Sequence, residues 1–187
     1  PLTLVMRRAA GVSDAVTGGQ DTVGLRVPSH PLAHALLAQF AGGVAAPSAN
    51  RYGRVSPTTA QHVKQEFGDR IDRVLDGGQC EVGIESTIVD VTGAHPVLLR
   101  PGHISAHQIE QTLGLPLAAP GTDAPRAPGT LAAHYAPRTP LEVIEGAALR
   151  ELVASLTRHG RRIAVLARDV PRQPGAEWIT APHAAAA

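Results

Sequence analysis

Apolar positions along this chain switch between a period of two and a period close to four. LTLVM at 2–6 is a short apolar run typical of a buried strand, and DTVGLRVP at 21–28 alternates apolar and polar residues. Residues 30–42 fit a helix, and so do residues 59–67. The apolar stripe of the first helix comprises Leu32, Ala35, Leu36 and Phe40. Interleaved strands and helices predict an α/β fold, with helices packed on a sheet.

The next segments continue this pattern. RVLD at 73–76 predicts a short strand, and VGIESTIVDV at 82–91 predicts a strand whose apolar character is broken by three polar residues. PVLLR at 96–100 predicts another strand, and SAHQIEQTLG at 105–114 predicts a helix capped by Ser105. We assign residues 1–115 to a first domain.

Composition changes after residue 115. Proline, alanine and glycine dominate residues 116–140, which predicts a linker. Beyond it, LEVI, a helix over AALRELVASLTRHG and then RRIAVLAR predict a strand, helix and strand, the start of a second α/β domain at 141–187. The stripe of that helix comprises Leu149, Leu152, Val153 and Leu156.

Composition narrows the class of protein. Of the 187 residues, 43% are hydrophobic and 18% are charged, which is enough apolar material for a core. A net charge of +1 and 3% aromatic residues give no global sign of nucleic-acid binding, although a local basic patch stays open. The single Cys80 excludes an internal disulfide and a cysteine-built zinc site. Without a signal-like or long apolar segment, we expect a cytoplasmic protein with no membrane partner.

Small polar side chains concentrate in the serine loop, residues 45–59, which reads AAPSANRYGRVSPTT. Ser48, Asn50 and Ser56 lie in a turn punctuated by glycine and proline, ahead of a predicted helix start. Hydroxyls and exposed backbone N–H groups suit anionic oxygens, and a helix N-terminus favours them further. The alternative is a solvated surface loop with a helix cap.

Two arginines are candidates for anion contacts. Arg26 shares a predicted strand face with Thr22, from which its guanidinium could bind a carboxylate through two hydrogen bonds. Arg100 follows an apolar strand and precedes Pro101-Gly102, where it could reach a phosphate. The alternatives are a solvent-facing arginine on the strand and a turn arginine in water.

Six motifs in one order give the chain a family resemblance: PLT, DTVGLRVPSHP, APSANRYGRVSPTT, GIESTIVD, LLRPGHIS and APGTLAAHYAP. They resemble the Sua5/YrdC family, in particular the two-domain Sua5-type threonylcarbamoyl-AMP synthases, from residue 1 to about 140. The resemblance implies a YrdC-like twisted mixed sheet with flanking helices. A linker and the start of a small Rossmann-like Sua5 domain would follow.

The activity implied by the resemblance joins L-threonine, bicarbonate and ATP into L-threonylcarbamoyl-adenylate and releases pyrophosphate. The adenylate would pass to the tRNA threonylcarbamoyl transferase machinery for the t6A modification. Neither a catalytic nucleophile nor a protein-built metal site is expected, because such catalysis depends on positioning and charge neutralisation. Mg²⁺ is expected to accompany the ATP phosphates.

The resemblance also implies roles for individual residues. The residues similar to the L-threonine site are Arg26, Ala46 and Ser86, and those similar to the ATP site are Thr22, Ser48, Ser56, Arg100 and Tyr135. Tyr135 belongs to HYAP, a linker motif that in the family folds over the active site as a lid. Asn50 is expected to shape its loop.

The chain also departs from the family pattern. Family members carry a basic Lys-x-Arg motif upstream of PLT, which this sequence does not contain, and the second domain stops early. We therefore expect this polypeptide alone to bind substrates weakly and to have little or no synthase activity. The alternatives are an RNA-binding YrdC-like module without catalysis, and a non-catalytic remnant or a carbamoyl-transfer domain. The HYAP linker followed by a strand-helix-strand unit argues against a carbamoyl-transfer domain.

Overall fold

The computed structural model describes residues 1–122, 124–127, 137 and 139–181, which belong to two compact units. The first unit lies within Pro1–Arg138 and the second within Thr139–Ala187. The elements of the first unit are β1 Leu2–Arg7, α1 Asp14–Thr17, β2 Thr22–Leu25, α2 Pro31–Phe40, α3 Ala60–Phe67, a 3₁₀ turn Gly68–Arg70, β3 Thr87–Asp90, β4 Val97–Arg100 and α4 Ala106–Leu113. Those of the second unit are α5 Gly146–Arg158, β5 Ala164–Ala167 and β6 Glu177–Thr180.

A four-stranded mixed sheet in the order β2-β1-β3-β4 organises the first unit. Strand β1 runs antiparallel to β2 and parallel to β3, which in turn runs antiparallel to β4. All four residues of β3 are buried, as expected for a β-branched strand with a neighbour on each side. This mixed sheet with helices confirms the predicted α/β class.

The core of the first unit lies against this sheet. Val5, Ile88 and Leu99 form a buried cluster, and Val97, Ala124 and Ala127 pack on it. Ala118 also pairs with β4, since its carbonyl oxygen accepts from the Leu98 amide at 3.1 Å. Part of the proline- and alanine-rich segment therefore belongs to the packed unit, because alanine buries its methyl group without a periodic pattern to mark it.

Further along, two hydrogen bonds between the Gln20 side chain and the Arg126 backbone hold the same segment, and we call this pair the clasp. The Arg126 amide donates to Oε1 of Gln20 at 2.8 Å, and Nε2 of Gln20 donates to the Arg126 carbonyl oxygen at 3.4 Å. The clasp joins the segment to the turn between α1 and β2. Residues 128–136, which include His134 and Tyr135 of HYAP, lie outside the described part of the chain.

Helix α4 begins after Ser105, the cap residue that the sequence predicts, and the structure shows a complete capping box there. The Ser105 hydroxyl accepts from the Gln108 amide, and the Gln108 side chain accepts from the Ser105 amide. This arrangement satisfies two backbone donors that a helix start otherwise leaves unpaired.

We expect the Ser105→Ala substitution to lower the free energy of unfolding by about 1 kcal/mol, because it removes this cap. Urea unfolding followed by circular dichroism measures the change. His107→Ala, at an exposed position in the first turn of α4, is the matched control and should stay within about 0.5 kcal/mol of the parent chain. An equal loss in both variants would contradict a specific role for the cap.

The predicted stripe of α2 remains largely exposed. Leu32, Leu36 and Phe40 are 39%, 46% and 62% exposed, while Ala33 and Leu37 are the half-buried positions of this helix. The position of the helix was predicted correctly, but the prediction of which side is buried was wrong. Periodicity shows which side of a helix is apolar, but burial requires a partner surface.

Two predicted strands are wrong. Residues 73–76 form no strand, and neither does LEVI at 141–144, where Val143 is 98% exposed. A strand needs a neighbouring strand for its hydrogen bonds, and the described residues offer none to either run.

The second unit consists of a helix and a small sheet. Its sheet is a parallel β5-β6 pair, in which Val165 lies opposite Trp178. Val153 of α5 is buried, and Leu149, Leu152 and Leu156 are half-buried, so the predicted stripe is confirmed. No helix in the described ranges combines the length and the apolar character needed to span a bilayer.

Candidate functional site

Four residues meet where β3 begins and β4 ends. Arg100, the last residue of β4, donates from Nε and Nη2 to the Ser86 carbonyl oxygen at 3.1 and 2.9 Å, and from Nη2 to Ser86 Oγ at 3.2 Å. Oε2 of Glu85 lies 3.7 Å from the same Nη2. We call Glu85, Ser86, Arg100 and Gly102 the Ser86 corner. It fixes a buried serine hydroxyl beside a buried cation.

The turn after β4 packs directly on this backbone. A Cβ atom built at Gly102 would lie 2.6 Å from the Glu85 carbonyl oxygen and 2.7 Å from the Ser86 carbonyl carbon. The Thr87 hydroxyl donates to the Ile104 carbonyl oxygen at 2.6 Å, which holds the turn from the other side. Glycine at 102 is therefore required by the close approach of two backbone segments.

The serine loop is joined to the Ser86 corner through side chains. Ser56 Oγ donates to Oε1 of Glu85 at 2.5 Å, and it lies 3.2 Å from Oδ1 of Asn50. Nδ2 of Asn50 donates to the carbonyl oxygens of Arg51 and Arg54 at 2.9 and 3.0 Å. Asn50 thus shapes the loop, as its position predicts.

Helix α3 starts directly behind the loop. Thr59 is its N-cap, with its hydroxyl accepting from the His62 amide at 3.2 Å. The Cys80 amide donates to the Thr58 carbonyl oxygen at 2.9 Å and ties the loop end to residues ahead of β3. The expected helix start behind the serine loop is confirmed.

Two residues of the network were not singled out from the sequence. Thr3 Oγ1 lies 2.8 Å from Ser86 Oγ, in a strand that the sequence marks only by its apolar pattern. Glu85 stands in the same polar run as Ser86 but received no role. The sequence marked both residues only by their place inside the PLT and GIESTIVD motifs. Their contacts with Ser86 and Ser56 can be recognised only from distances in the structure.

The other predicted site residues lie outside these hydrogen bonds. Arg26 follows the end of β2 and is exposed, Thr22 is half-buried within β2, and Ala46 and Ser48 are exposed in the serine loop. Tyr135 lies outside the described residues. The described site residues therefore divide into those held in the hydrogen-bond network of the Ser86 corner and those, half-buried or exposed, that take no part in it.

The strand register places Arg26 near this corner all the same. Leu25 lies opposite Leu4, and Leu2 lies opposite Thr87, so the end of β2 and the start of β3 share one edge of the sheet. Strand β1 separates them by two strand spacings, roughly 10 Å, and the offset of two residues along β1 adds about 7 Å in the strand direction, so Leu25 and Thr87 lie roughly 12 Å apart. An arginine side chain after Leu25 is long enough to cover part of that distance, which leaves room for a small amino acid beside the Ser86 hydroxyl.

A shallow cavity of about 450 Å³ adjoins the serine loop. Its lining combines the cationic Arg54 with Ser56 and His62, and it also includes Val55, Pro57, Gln65, Glu66 and Pro137. Groups of three or more histidine, cysteine or acidic residues that could hold a metal ion are absent from the described residues. The arginine and hydroxyl donors of the cavity lining suit an anionic ligand.

Comparisons with known proteins agree on one family. A family model described as telomere recombination, covering Sua5, YciO and YrdC proteins, matches residues 1–102, and a second, the C-terminal domain of threonylcarbamoyl-AMP synthase, matches residues 104–186. The chain is 38% identical to the threonylcarbamoyl-AMP synthase of Pyrococcus abyssi and 39% identical to that of Bacillus subtilis. These alignments cover 89% and 90% of this chain.

A solved structure resembles the whole chain. The crystal structure of P. abyssi Sua5 complexed with L-threonine matches 97% of this chain and 56% of its own, at 33% identity and a TM-score of 0.80. The chain spans about half the length of the curated relatives it matches, 52% and 51% of the two synthases. On the match to residues 1–102 and the structural likeness together, the chain belongs to the Sua5/YrdC family.

Proposed function

We propose that this chain carries the L-threonine and nucleotide sites of an L-threonylcarbamoyl-AMP synthase. The reaction joins L-threonine, bicarbonate and ATP into threonylcarbamoyl-adenylate with release of pyrophosphate. The proposal rests on one observation: Arg26, Ser86 and Arg100 lie at the same end of the sheet, where β2 ends, β3 begins and β4 ends. Relatives of the same name and a threonine-bound structure of one of them support it.

The proposed threonine site uses one charge and one hydroxyl. The exposed Arg26 guanidinium binds the carboxylate of L-threonine, since its planar fork matches two oxygens. Ser86 Oγ, held by Thr3 and Arg100, contacts the amino acid from the opposite side. The backbone near Ala46 lines the pocket.

The proposed nucleotide site surrounds the serine loop. Ser48 and Ser56 supply hydroxyl groups from the loop, and the resemblance also assigns Thr22, at the start of β2, and Tyr135 to this site. Arg100 places its positive charge behind these groups, where it stabilises negative charge developing at the α-phosphate. Magnesium enters as the MgATP substrate, held by phosphate oxygens and water.

The protein has no covalent chemistry to perform in this reaction. Bicarbonate gives carbon dioxide with loss of hydroxide, and the threonine amine takes up the carbon dioxide as a carbamate with loss of a proton, so that one water is released. A carbamate oxygen then attacks the α-phosphorus, the bond between the α-phosphorus and the bridging oxygen breaks, and pyrophosphate leaves. Holding the two substrates in line supplies the rate enhancement. We place the product with the tRNA threonylcarbamoyl transferase machinery of the cytoplasm.

Isothermal titration of the chain with L-threonine and with MgATP tests the proposal. We expect threonine binding in the parent chain and a loss of about 100-fold or more in Arg26→Ala, because the carboxylate loses a charge-assisted bidentate partner. Arg73→Ala removes an exposed arginine elsewhere and should leave both affinities unchanged.

The same titration contains the result that would overturn the proposal. Absence of binding for both ligands in a folded parent chain, with circular dichroism as the check on folding, contradicts a competent site in this polypeptide. Equal threonine affinity in the parent chain and in Arg26→Ala contradicts the assignment of the carboxylate site.

A further inference from the structure

Glu85 occupies the junction between the serine loop and the Ser86 corner. One of its oxygens, Oε1, accepts from Ser56 Oγ at 2.5 Å, and the other, Oε2, lies 3.7 Å from Arg100 Nη2. The side chains of Glu85 and Arg100 are 23% and 10% exposed. One carboxylate, largely shielded from water, therefore connects three segments that are far apart in the sequence.

The partners of Glu85 connect the two sides of the proposed site. Ser56 and Arg100 belong to the nucleotide side, and Arg100 also donates to the carbonyl oxygen and the hydroxyl of Ser86 on the threonine side. A shift of the carboxylate would change the position of Ser56 and the electrostatic environment of Arg100 together. Because water is largely excluded, these interactions are stronger than on an open surface.

Among the described contacts, the Thr58 carbonyl oxygen of the serine loop accepts from the Cys80 amide, and Arg51 pairs with Glu66 of α3. The Ser56 bond is therefore an additional attachment, on the side of the Ser86 corner. The backbone hydrogen bond of its central turn is internal, from the Arg54 amide to the Arg51 carbonyl oxygen, and the Asn50 bonds also remain within the loop. The bond from Ser56 to Glu85 leaves the loop and reaches the residue before Ser86.

We propose that Glu85 is a positioning residue that holds Ser56 against the Ser86 corner and so keeps the nucleotide-side and threonine-side groups in one geometry. Both carboxylate oxygens contact protein groups, so the role is exerted through Ser56 and Arg100. The link to the two substrates rests on the proposed function, whereas the attachment of the loop does not.

The experiment uses the full chain and four variants. Glu85→Ala removes both interactions, Glu85→Gln keeps an acceptor for Ser56 and loses the charge, and Ser56→Ala removes the loop partner. The double variant Ser56→Ala/Glu85→Ala completes a double-mutant cycle. Glu81→Ala, at an exposed position four residues upstream of Glu85, is the matched control.

The first measurement is amide hydrogen exchange of residues 48–56 without ligand. We expect exchange about 5-fold faster or more in Glu85→Ala, a smaller increase in Glu85→Gln, and parent rates in Glu81→Ala, because a loop that loses its attachment opens more often. Ser56→Ala should match Glu85→Ala, and the double variant should exchange no faster than either.

The second measurement is the affinity for L-threonine and for MgATP by titration. We expect Glu85→Ala to weaken both ligands by about 10-fold, with partial rescue in Glu85→Gln, since both sides share one anchor. If Glu85 had a purely structural role, its loss would loosen the loop, but Glu85→Gln would bind the two ligands no better than Glu85→Ala.

The outcomes separate this inference from the proposed function. The positioning role is overturned, whether or not ligands bind, if Glu85→Ala exchanges at the rate of the parent chain. It is also overturned if the increase in exchange rate in the double variant equals the product of the increases in the two single variants. Failure of the parent chain to bind either ligand contradicts the proposed function, and the exchange data still decide the attachment. If Glu85→Ala does not fold, the comparison of Glu85→Gln with Ser56→Ala carries the same test.

Discussion

Substitution of Gly102 by alanine should destabilise the first unit by about 3 kcal/mol, because the added methyl group would overlap the backbone of residues 85–87. The added Cβ would lie 2.6 and 2.7 Å from backbone atoms of Glu85 and Ser86, with the Thr87 amide nitrogen in contact as well. Backbone cannot rotate away as a flexible side chain does, so the turn or the start of β3 must shift. Urea unfolding and hydrogen exchange of β1 and β3 measure the effect.

Gly11→Ala is the matched control for this prediction. Its added Cβ would meet no atom within 4 Å among the described residues, and its backbone lies outside the left-handed region. We expect a change within about 0.5 kcal/mol. Similar stability of the two variants would show that the Gly102 turn yields without cost and that the Ser86 corner is less rigid than its contacts indicate.

Loss of the Arg100 side chain should combine a stability defect with a binding defect. Arg100→Ala leaves the Ser86 carbonyl oxygen and the Glu85 carboxylate without this cation in a region largely closed to water. Breaking such a pair destabilises strongly, and we expect a loss of about 2 to 3 kcal/mol, since Glu85 keeps some exposure. Threonine and MgATP binding should fall by about 100-fold or more.

The conservative variant distinguishes charge from geometry at this position. Arg100→Lys retains a positive charge but cannot donate from two nitrogens to one carbonyl oxygen, so we expect partial recovery of stability and little recovery of binding. Arg73→Ala is again the exposed control. Full recovery of binding by lysine would contradict the geometric role and leave charge as the whole contribution.

The groups that meet at the Ser86 corner and the serine loop suit the proposed reaction. They are hydroxyls, one amide, one arginine and one carboxylate, supported by strand ends and a helix start. In that reaction such a set would bind and orient anionic substrates and neutralise the charge that develops at phosphorus. The RNA-binding alternative is not favoured by relatives that are named as synthases.

Several features of the fold follow from local sequence and were predicted correctly. Strands β1, β3 and β4 carry consecutive apolar and β-branched residues, and Ser105 caps α4. The stripe of α5 was also confirmed, because its apolar side packs within the second unit. In each case the determinant lies within a few residues of the element.

Features that depend on a distant partner were predicted poorly. RVLD has the composition of a strand but no neighbouring strand in the described residues, and α2 has an apolar side without burial. The α1 turn in 14–17 was not predicted, although Ser13 caps it, because four residues are too few to show a period. Residues 116–140 were assigned to a linker, and within them Ala124 and Ala127 pack on the core.

The sequence by itself determined the family, the α/β class and the residue types of the site, because ordered motifs and short-range patterns are properties of the chain. Tertiary structure decided which of those residues touch. It joined Ser56 to Glu85 across 29 positions and Ser86 to Thr3 across 83, and it brought the ends of β2 and β3 to one edge of the sheet. Strand order and register set these distances, and they arise from packing between segments that no local pattern can specify.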